Sequence, residues 1–424
     1  MILFSLIKCL IKIMTFQQSD INDSNPELCN LICERIAASP QRRITFAEYM
    51  NLVLYHPHHG YYNSDRPSIG KQGDFITSSH WSADFAEVLA KQFVEMWELL
   101  DRPFNFAIVE MGAGRGTSAE NVLQYLQRQH PDLFKNLTYI IVEISPRLQA
   151  EQRQRLSDIK CVKWCNWDEI VNNSIVGCFF SNELVDALPV HQFILESGQV
   201  REIYVAAETP RNEQEEIEFV EVIGEVSTPK IAEYSDLVSI DLSASVYGDG
   251  YRSEVNLAAL DWMSTVAQKL QRGYLLTIDY GNPAHRYYNP RRREGTLQCY
   301  YLHRYHNNPY INVGRQDLTA HVNFTALERQ GELCGLDVVG FTQQALFLMA
   351  LGLGDRIASL STNDAEALDL ATFLRRREAL HQLIDPRGLG GFGVLVQSKG
   401  LREEEKSAQA KLSRRESLKG FTVP

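Results

Sequence analysis

The residues most suited to chemistry are an acid and three glycines that follow an apolar run early in the chain. Glu110 ends the run, and Gly112, Gly114 and Gly116 follow at every second position. The run predicts a buried strand, and the segment from Ser118 to Gln129 has a helical pattern. Glycine tolerates backbone conformations that bring the chain close to a ligand. A strand, a glycine turn and a helix in this order predict a site for a nucleotide-type cofactor.

The spacing of these glycines narrows the choice of cofactor. A dinucleotide-binding turn prefers Gly-x-Gly-x-x-Gly, and here the third place falls on Thr117. The observed Glu-x-Gly-x-Gly-x-Gly resembles the first motif of class I methyltransferases, which bind S-adenosylmethionine (SAM). The resemblance implies that Glu110 and the three glycines bind SAM. The alternatives are an ordinary glycine-rich turn or a nicotinamide site.

A second acid, Glu143, ends the next predicted strand, Thr138–Val142. Its carboxylate can accept hydrogen bonds from both hydroxyls of a ribose, and the alternative is a surface acid at a strand end. Glu110 is predicted to order the glycine loop or to hold the ammonium group of SAM. Trp167 follows the third predicted strand, and we expect it either to flank the adenine or to pack in the core.

The residues after the fourth predicted strand, Gly177–Ser181, are candidates for the site of the methyl acceptor. Asn182 comes first, and Glu183 and Asp186 share one face if the segment is helical. Two carboxylates can grip a guanidinium group and leave one nitrogen as the nucleophile, provided that a nearby group takes a proton. For Asp186 the alternative role is to cap backbone amides. His321 is a further candidate proton acceptor, with a packed histidine as the alternative.

The elements that position these residues alternate between strands and helices. Such repeats predict a mostly parallel sheet, and ligands bind such sheets at the carboxyl ends of the strands. We therefore expect Glu110, Glu143, residues 182–186 and Asp279 to converge on one cleft. Beyond them, the charged stretch at about 190–252 has β-type alternation, which we interpret as an inserted antiparallel arm.

Motifs spread from Ile44 to Ser398 together resemble one family. In chain order they are Phe46-Ala47-Glu48-Tyr49-Met50, Leu54-Tyr55-His56-Pro57, Gly60-Tyr61-Tyr62, Gly73-Asp74-Phe75, Glu110-Met111-Gly112-Ala113-Gly114-Arg115-Gly116, Val142-Glu143-Ile144-Ser145-Pro146, Asn182-Glu183-Leu184-Val185-Asp186-Ala187-Leu188-Pro189, Asp279-Tyr280-Gly281, Gly295-Thr296-Leu297 and Asp317-Leu318-Thr319-Ala320-His321-Val322. They are similar to the MidA-like SAM-dependent methyltransferases, whose mitochondrial members are respiratory complex I assembly factors that act as protein arginine methyltransferases. The resemblance implies a seven-stranded sheet and a loop near SAM that contributes Gly73, Asp74, Thr77 and Ser78.

Three positions depart from the family's pattern. Gln72 stands where the family often has a second glycine, which reduces the freedom of the loop. Asn323 stands where the family often has an acid after His-Val, which argues against an acid–base role at that position. Val185 replaces the usual phenylalanine, and this is a mild change.

Four regions are predicted along the chain. Residues 1–25 form a flexible N-terminus, and residues 26–105 form a helical segment that covers the cofactor, as the resemblance implies. Residues 106–399 form the α/β methyltransferase domain, a Rossmann-like class I fold with a mostly parallel, seven-stranded sheet and the inserted arm. Residues 400–424 are dense in Glu, Lys, Arg and Ser, and we predict that they are disordered.

Composition limits the class of function. The chain has 53 Asp and Glu against 42 Lys and Arg, a net charge of −11, which argues against a nucleic-acid partner. The eight cysteines contain no C-x-x-C pair, so we predict a reducing compartment and no metal site. The apolar stretch at residues 1–13 is too short to span a bilayer, and we predict no membrane span.

The leading hypothesis is a SAM-dependent methyltransferase whose partner is a protein that presents an arginine. Its predicted location is the cytoplasm if the source is bacterial and the mitochondrial matrix if the source is eukaryotic, and a homodimer is compatible with the sequence. The alternatives are a non-catalytic assembly factor that binds SAM and a nicotinamide-dependent oxidoreductase.

Overall fold

A computed structural model of the chain describes residues 22–64, 83–208, 217–302, 304–362, 369–402 and 418–421. The α-helices of this part of the chain are α1 (Pro26–Ala38), α2 (Phe46–Tyr55), α3 (Ala83–Leu99), α4 (Thr117–Gln129), α5 (Pro131–Lys135), α6 (Pro146–Arg155), α7 (Lys230–Leu237), α8 (Leu257–Lys269), α9 (Ala284–Tyr287), α10 (Phe324–Leu333), α11 (Gln344–Ala350), α12 (Leu353–Thr362) and α13 (Leu370–Ile384). The strands are β1 (Ile44–Thr45), β2 (Phe106–Met111), β3 (Leu137–Val142), β4 (Val162–Trp164), β5 (Ile175–Asn182), β6 (His191–Glu196), β7 (Gln199–Glu208), β8 (Glu218–Gly224), β9 (Arg252–Val255), β10 (Leu270–Asp279), β11 (Gly281–Asn282), β12 (Gln298–Tyr301), β13 (Arg304–His306), β14 (Asp317–Thr319), β15 (Val322–Asn323), β16 (Asp337–Gln343) and β17 (Gly393–Lys399).

The centre of the molecule is a seven-stranded sheet with the order β16-β17-β10-β5-β2-β3-β4. The five strands from β10 to β4 run parallel to one another, whereas β17 is antiparallel to both of its neighbours. This is the predicted α/β fold of class I methyltransferases with a mostly parallel sheet, and the prediction is confirmed.

Local sequence explains why β2, the glycine turn and α4 follow one another. All six residues of β2 are buried, as expected for a parallel strand covered on both faces. In α4, Val122, Leu123 and Leu126 recur at helical spacing and are fully buried. They pack in a core with α3, which covers the same face of the sheet, and α8 and α10 cover the opposite face.

The register of the parallel strands brings their carboxyl ends to one level. Met111 of β2 lies opposite Val142 of β3 and Ser181 of β5, and Asn182 lies opposite Ile278 of β10. The residues that follow these strands therefore leave the sheet at the same edge. This edge is the one at which the sequence predicts the site.

A second sheet contains the predicted antiparallel arm. Strands β6 and β7 form a hairpin, β8 pairs with β7, and β1 and β9 close the two sides. The hairpin turns at Ser197 and Gly198, which both have positive φ, 52° and 72°. The N-terminal helices α1 and α2 pack against this second sheet, in a cluster that includes Phe46, Val205 and Phe219. The arm is confirmed, although it also contains a helix, α7, that the alternation did not predict.

The predicted disordered tail differs from the structure at residues 418–421. Leu418 is fully buried, and the short 3₁₀ turn Lys419–Phe421 places the Phe421 ring 5.7 Å from that of Phe347. The backbone amides of Lys419 and Gly420 donate to Glu95 (2.9 Å) and to Gln92 (3.3 Å). The charged composition of the tail as a whole concealed these two apolar residues, which dock on α3 and α11.

In the part of the chain that the structure describes, no helix is both long and apolar enough to cross a membrane.

Candidate active site

The glycine turn after β2 has the backbone conformation that its sequence requires. Gly112, Gly114 and Gly116 have φ angles of 69°, 53° and 77°, a region that costs other residues about 1–2 kcal/mol. A Cβ atom on Gly112 would lie 2.8 Å from Cδ1 of Leu184. Side chains at these positions would therefore strain the backbone of the turn. Gly116 is the N-cap of α4.

Glu143 is held in a fixed orientation at the end of β3. Its side chain is 6% exposed, its Oε1 accepts from the backbone N–H of Ser145 at 2.9 Å, and its Oε2 accepts from Nε2 of Gln152 at 3.2 Å. Nε2 of Gln152 also donates to the carbonyl of Gly114 at 2.7 Å, so the acid and the glycine turn share one support. Burial raises the pKa of Glu143, and these hydrogen bonds oppose the rise.

Glu110 is buried beside the same turn. The hydroxyl of Tyr139 donates to its Oε2 at 2.8 Å. Burial raises the pKa of Glu110 to about 7, the hydrogen bond from Tyr139 opposes this, and the nearby charge of Glu143 adds to it. With a pKa of about 7, the carboxyl group is partly protonated at neutral pH, and a neighbouring cation would shift it to the ionised form.

These residues line a cavity of about 290 Å³, which we call the cofactor cavity. Its walls include Glu110, Met111, Gly112, Ala113, Gly114, Ser118, Val142, Glu143, Ile144, Trp167, Asn182 and Glu183, with Asn51 and Tyr55 from α2 and Tyr62 from the 3₁₀ turn Tyr61–Asn63. Trp167 lies in this wall and also stacks on the core residue Phe179, with ring centroids 6.2 Å apart. Both roles considered for Trp167 are therefore compatible with its position.

A second cavity of about 480 Å³, which we call the acidic cavity, lies beside the first. Its lining includes the carboxylates of Glu183, Asp186 and Asp317, the rings of Tyr62, Tyr280, Tyr300 and His321, and residues of the loop at 386–392. Tyr62 and Glu183 line both cavities, so they lie at the boundary between them. Among the described residues, no group of three or more His, Cys, Asp and Glu side chains has the arrangement of a metal site.

Glu183 reaches this boundary through an unusual backbone conformation. Its φ is 52°, which is uncommon for a residue other than glycine and costs of order 1–3 kcal/mol. The backbone N–H of Glu183 donates to the carbonyl of Ile278 at 2.9 Å, and Nδ2 of Asn182 donates to the Glu183 Oε1 at 2.9 Å. Strain of this kind persists where surrounding structure holds it, commonly at functional sites.

Among the described residues, the amides of the turn after β5 are capped by Asp279 and not by Asp186. The Oδ2 of Asp279 accepts from the amides of Leu184 (3.2 Å), Val185 (2.9 Å) and Asp186 (3.3 Å), which fixes the 3₁₀ turn Val185–Ala187. Burial raises the pKa of Asp279 to about 8, and the charge of Glu183 adds to the rise. The convergence of Asp279 on the site was expected, but its role in holding the turn was not.

The carboxyl group of Asp186 is therefore left for the acidic cavity. It is 6% exposed, and its Oδ1 has no hydrogen-bond partner among the described residues. Burial raises the pKa of Asp186 well above that of an ordinary aspartate, the charges of Asp279, Asp317 and Glu183 add to the rise, and a hydrogen bond with the Tyr280 side chain opposes it. A buried carboxyl group with an unmet acceptor atom is suited to a cationic ligand.

His321 is the weaker of the two candidate proton acceptors. Its ring lies edge-on to that of Tyr280, with centroids 5.2 Å apart, and its Nδ1 is 3.5 Å from Nδ2 of Asn282. Burial lowers the pKa of His321 to about 4, and the charge of Arg292 adds to this. An imidazole with this pKa is neutral at pH 7 and holds a proton weakly.

Comparison with known proteins identifies the family. Residues 88–342 match the family described as "Putative S-adenosyl-L-methionine-dependent methyltransferase". The chain belongs to this family. A crystal structure of a protein from Burkholderia thailandensis bound to S-adenosyl-homocysteine is 30% identical, with a TM-score of 0.76 over 89% of this chain and 92% of that one.

Two named relatives extend the comparison. The Drosophila melanogaster "Protein arginine methyltransferase NDUFAF7 homolog, mitochondrial" is 29% identical over 73% of this chain and 71% of its own length. The Homo sapiens "Protein arginine methyltransferase NDUFAF7, mitochondrial" is 27% identical over 87% of this chain and 82% of its own length. The predicted resemblance to MidA-like methyltransferases is confirmed, and the protein is a SAM-dependent methyltransferase.

The cofactor cavity fits SAM. The side-chain oxygens of Ser118 and Asn182 are buried in its wall without a partner among the described residues, so polar groups of a ligand can satisfy them. A Cβ atom on Gly112 would press on Leu184 in the wall of the cavity, and Ile144 offers an apolar surface that is 61% exposed. The cofactor prediction is therefore supported by the family and by the chemistry of the cavity.

The structure brings most of the predicted site residues together. Glu110, Gly112, Gly114, Glu143, Asn182 and Glu183 line the cofactor cavity, and Glu183, Asp186 and His321 line the acidic cavity. Gly116 lies one turn further on, at the start of α4. Gly73, Asp74, Thr77 and Ser78 lie outside the described residues, so their roles stay predictions. Tyr62 and Asp317 were missed as site residues, although both occur in the motifs that carry the resemblance.

Proposed function

We propose that this protein transfers the methyl group of SAM to a guanidinium nitrogen of an arginine on a partner protein. The observation that carries the proposal is the position of Glu183, which lines the cofactor cavity and the acidic cavity together. A cationic side chain in the acidic cavity would meet the cofactor at this residue. The names of the fly and human relatives support the same acceptor.

The roles of the cofactor-cavity residues follow from their geometry. Both oxygens of Glu143 are fixed, and they accept hydrogen bonds from the hydroxyls of a ribose. Gln152 keeps Glu143 aligned with the glycine turn, because it donates to both. Glu110, with a pKa of about 7, ionises in response to a nearby ammonium group. Bound SAM supplies a methyl carbon activated by a positively charged sulfur.

The acidic cavity binds the acceptor arginine and accepts the proton that the arginine releases. Glu183 and Asp186 hold the guanidinium by charge-assisted hydrogen bonds, which orient one nitrogen toward the cofactor cavity. A guanidinium nitrogen loses a proton as it gains the methyl group, and Asp186 takes that proton because its raised pKa makes it a better base than an ordinary aspartate. His321 is the alternative acceptor, and its pKa of about 4 makes it the poorer base.

A lysine acceptor is the closest competitor, because an ammonium group is also a cation. The planar fork of arginine matches paired carboxylates, whereas an ammonium group is a single point charge. The cavity presents Glu183, Asp186 and Asp317 together, and this arrangement favours arginine. The names of the relatives support a mitochondrial location in a eukaryote, for which we propose the matrix, and the family resemblance supports a role in respiratory complex I assembly. The homodimer stays a prediction from the sequence.

The test is methyl transfer from radiolabelled SAM to lysate proteins, followed by acid hydrolysis and separation of methylated amino acids. Wild type is expected to produce methylarginine, and Glu183→Gln is expected to lower the yield about 10–100-fold, because a charged hydrogen bond contributes about 1.5–3 kcal/mol. Glu95→Gln is the matched control, since Glu95 is a buried acid that lines neither cavity. Methyllysine in place of methylarginine, or no transfer at all, would refute the proposal.

A further inference from the structure

Tyr62 makes contacts toward both cavities. Its hydroxyl donates to Oδ1 of Asp317 at 2.9 Å, on the side of the acidic cavity. Its backbone carbonyl accepts from Oγ of Ser145 at 2.9 Å, on the side of the cofactor cavity. Its ring stacks on Tyr55, with centroids 5.4 Å apart and planes 27° from parallel.

These contacts complete a continuous path between two acids. The backbone N–H of Ser145 donates to Glu143, the side chain of Ser145 donates to Tyr62, and Tyr62 donates to Asp317. Every link is 2.9 Å long. The path therefore runs from the carboxylate proposed for the ribose to a carboxylate of the acceptor site.

Asp317 is well placed to affect the binding of a cation. It is 1% exposed, it lies on β14 opposite Tyr300 of β12, and its charge raises the pKa of Asp186. The carbonyl of Asp186 accepts from the amide of Ala320, which fixes the β14 segment next to the 3₁₀ turn that carries Asp186. The Tyr62 hydroxyl and the backbone N–H of Leu318, at 3.0 Å, both donate to Oδ1 of Asp317, so Tyr62 helps to orient one of the three acids in the cavity.

We infer that Tyr62 is a positioning residue that couples the two cavities, so that the cofactor and the cationic acceptor each bind more tightly when the other is present. This inference rests on the proposed function. Tyr62 is only partly buried, with a cavity on each side of it. A ligand in either cavity packs against the exposed part of the ring and holds the ring in the position from which its hydroxyl donates to Asp317, so the second ligand meets an ordered side chain.

The experiment measures this coupling in the full-length protein by calorimetry, without methyl transfer. S-adenosylhomocysteine is titrated into the protein at increasing concentrations of N-acetyl-arginine methylamide, and N-acetyl-citrulline methylamide serves as the neutral probe. Couplings of this kind are typically 5–150-fold. We expect the arginine probe to raise the affinity for S-adenosylhomocysteine about tenfold in wild type and less than twofold in Tyr62→Phe. The citrulline probe is expected to have no effect.

Two further variants separate coupling from a merely structural effect. Tyr301→Phe removes a similar bond, from the Tyr301 hydroxyl to Asp23 at 2.8 Å, outside both cavities, and is expected to keep the tenfold coupling. Asp317→Asn keeps an acceptor for Tyr62 and removes the charge. It is expected to weaken the arginine probe about tenfold while the coupling factor stays within twofold of wild type.

The outcomes distinguish this inference from the proposed function. If the arginine probe binds but the coupling factor is unchanged in Tyr62→Phe, the inference is wrong and the proposed acceptor stands. If an N-acetyl-lysine methylamide probe binds and the arginine probe does not, the proposed acceptor is wrong, and the coupling is then decided with the lysine probe. If neither cation binds, both are wrong. Loss of both affinities in Tyr62→Phe with an unchanged ratio also overturns the inference, because it indicates a structural role alone.

Discussion

The cofactor cavity and the acidic cavity are neighbours, but they are built in different ways. The cofactor cavity lies at the ends of the adjacent strands β2, β3 and β5, and it includes the glycine turn that starts at Gly112 and the acid Glu143. The acidic cavity is formed by residues from five segments that are distant in sequence, at position 62 and near positions 183–186, 280–282, 298–321 and 386–392. The first depends largely on local chain geometry, whereas the second depends on how these separate segments pack together.

The two cavities also differ in how their charges are stabilised. Both oxygens of Glu143 have hydrogen-bond donors, so this acid is prepared before any ligand arrives. Asp186 has an oxygen without a partner among the described residues, and other acids surround it. The acid at the end of β3 is thus fixed in place without its ligand, while the acids of the acidic cavity require a cation to offset the repulsion between their charges.

The largest expected effect comes from removing the proton acceptor of the acidic cavity. Asp186→Asn keeps the shape of the side chain and removes its ability to take a proton, so we expect the rate of methyl transfer to fall on the order of 10³-fold. The affinity for S-adenosylhomocysteine should stay within twofold, because Asp186 does not line the cofactor cavity. Single-turnover rates and calorimetry measure the two quantities.

The pH dependence of the rate gives a second measure of the same variant. Asp186 accepts a proton only when it is ionised, and its pKa lies above that of an ordinary aspartate. The wild-type rate should therefore rise with pH and lose activity on the acid side sooner than an exposed aspartate would dictate. If Asp186→Asn kept the wild-type rate and pH profile, another group would have to be the proton acceptor, with His321 as the first candidate.

The contrast between the cavities also explains what the sequence could predict. The turn after β2 and the acid after β3 are contiguous patterns, and the apolar runs before them specify parallel strands, so the cofactor cavity was predictable from short segments. Tyr62 and Asp317 are 255 positions apart, and their hydrogen bond depends on the folded positions of the 3₁₀ turn and β14. No periodicity or local spacing reports such a contact.

The sequence also could not show which of two aspartates caps the turn after β5. Asp186 and Asp279 both end or follow a strand, and either could have capped the turn after β5. The parallel pairing of β5 with β10 brings Asp279 beneath the amides of residues 184–186, and this decides which aspartate stays available for a ligand. The four docked residues of the tail, 418–421, were missed for a related reason, because their burial depends on Phe347 and Gln92 elsewhere in the chain.

The next effect tests the acid that is buried in the cofactor cavity. The folded-state pKa of Glu110, about 7, lies above the ordinary value of 4.5. Glu110 therefore contributes stability that is fully present below about pH 4.5 and is lost as the pH rises through 7, a total of about 3 kcal/mol. Between pH 5 and pH 8, without cofactor, the free energy of unfolding of wild type should fall about 2–3 kcal/mol more than that of Glu110→Gln.

Denaturant unfolding at the two pH values measures this difference, and Glu332→Gln is the control because Glu332 is an exposed acid on α10. The control should follow wild type at both pH values. Parallel pH dependence in wild type and Glu110→Gln would show that the carboxyl group is already ionised in the folded protein, and the cofactor cavity would then contain a fixed negative charge beside the glycine turn.

The smallest expected effect tests whether the backbone conformation of the glycine turn is needed for cofactor binding. Gly112→Ala places a Cβ atom in a conformation with φ of 69° and 2.8 Å from Leu184, so we expect about a tenfold loss of affinity for S-adenosylhomocysteine, equivalent to about 1–2 kcal/mol. Gly198→Ala, at the hairpin of the arm, has the same type of backbone strain, with φ of 72° and no atom of the described residues within 4 Å of its Cβ. Both variants should lose similar stability, but only Gly112→Ala should lose cofactor affinity. If Gly112→Ala lost as much affinity for the arginine probe as for S-adenosylhomocysteine, Leu184 would transmit the strain to Glu183. The two cavities would then not change independently.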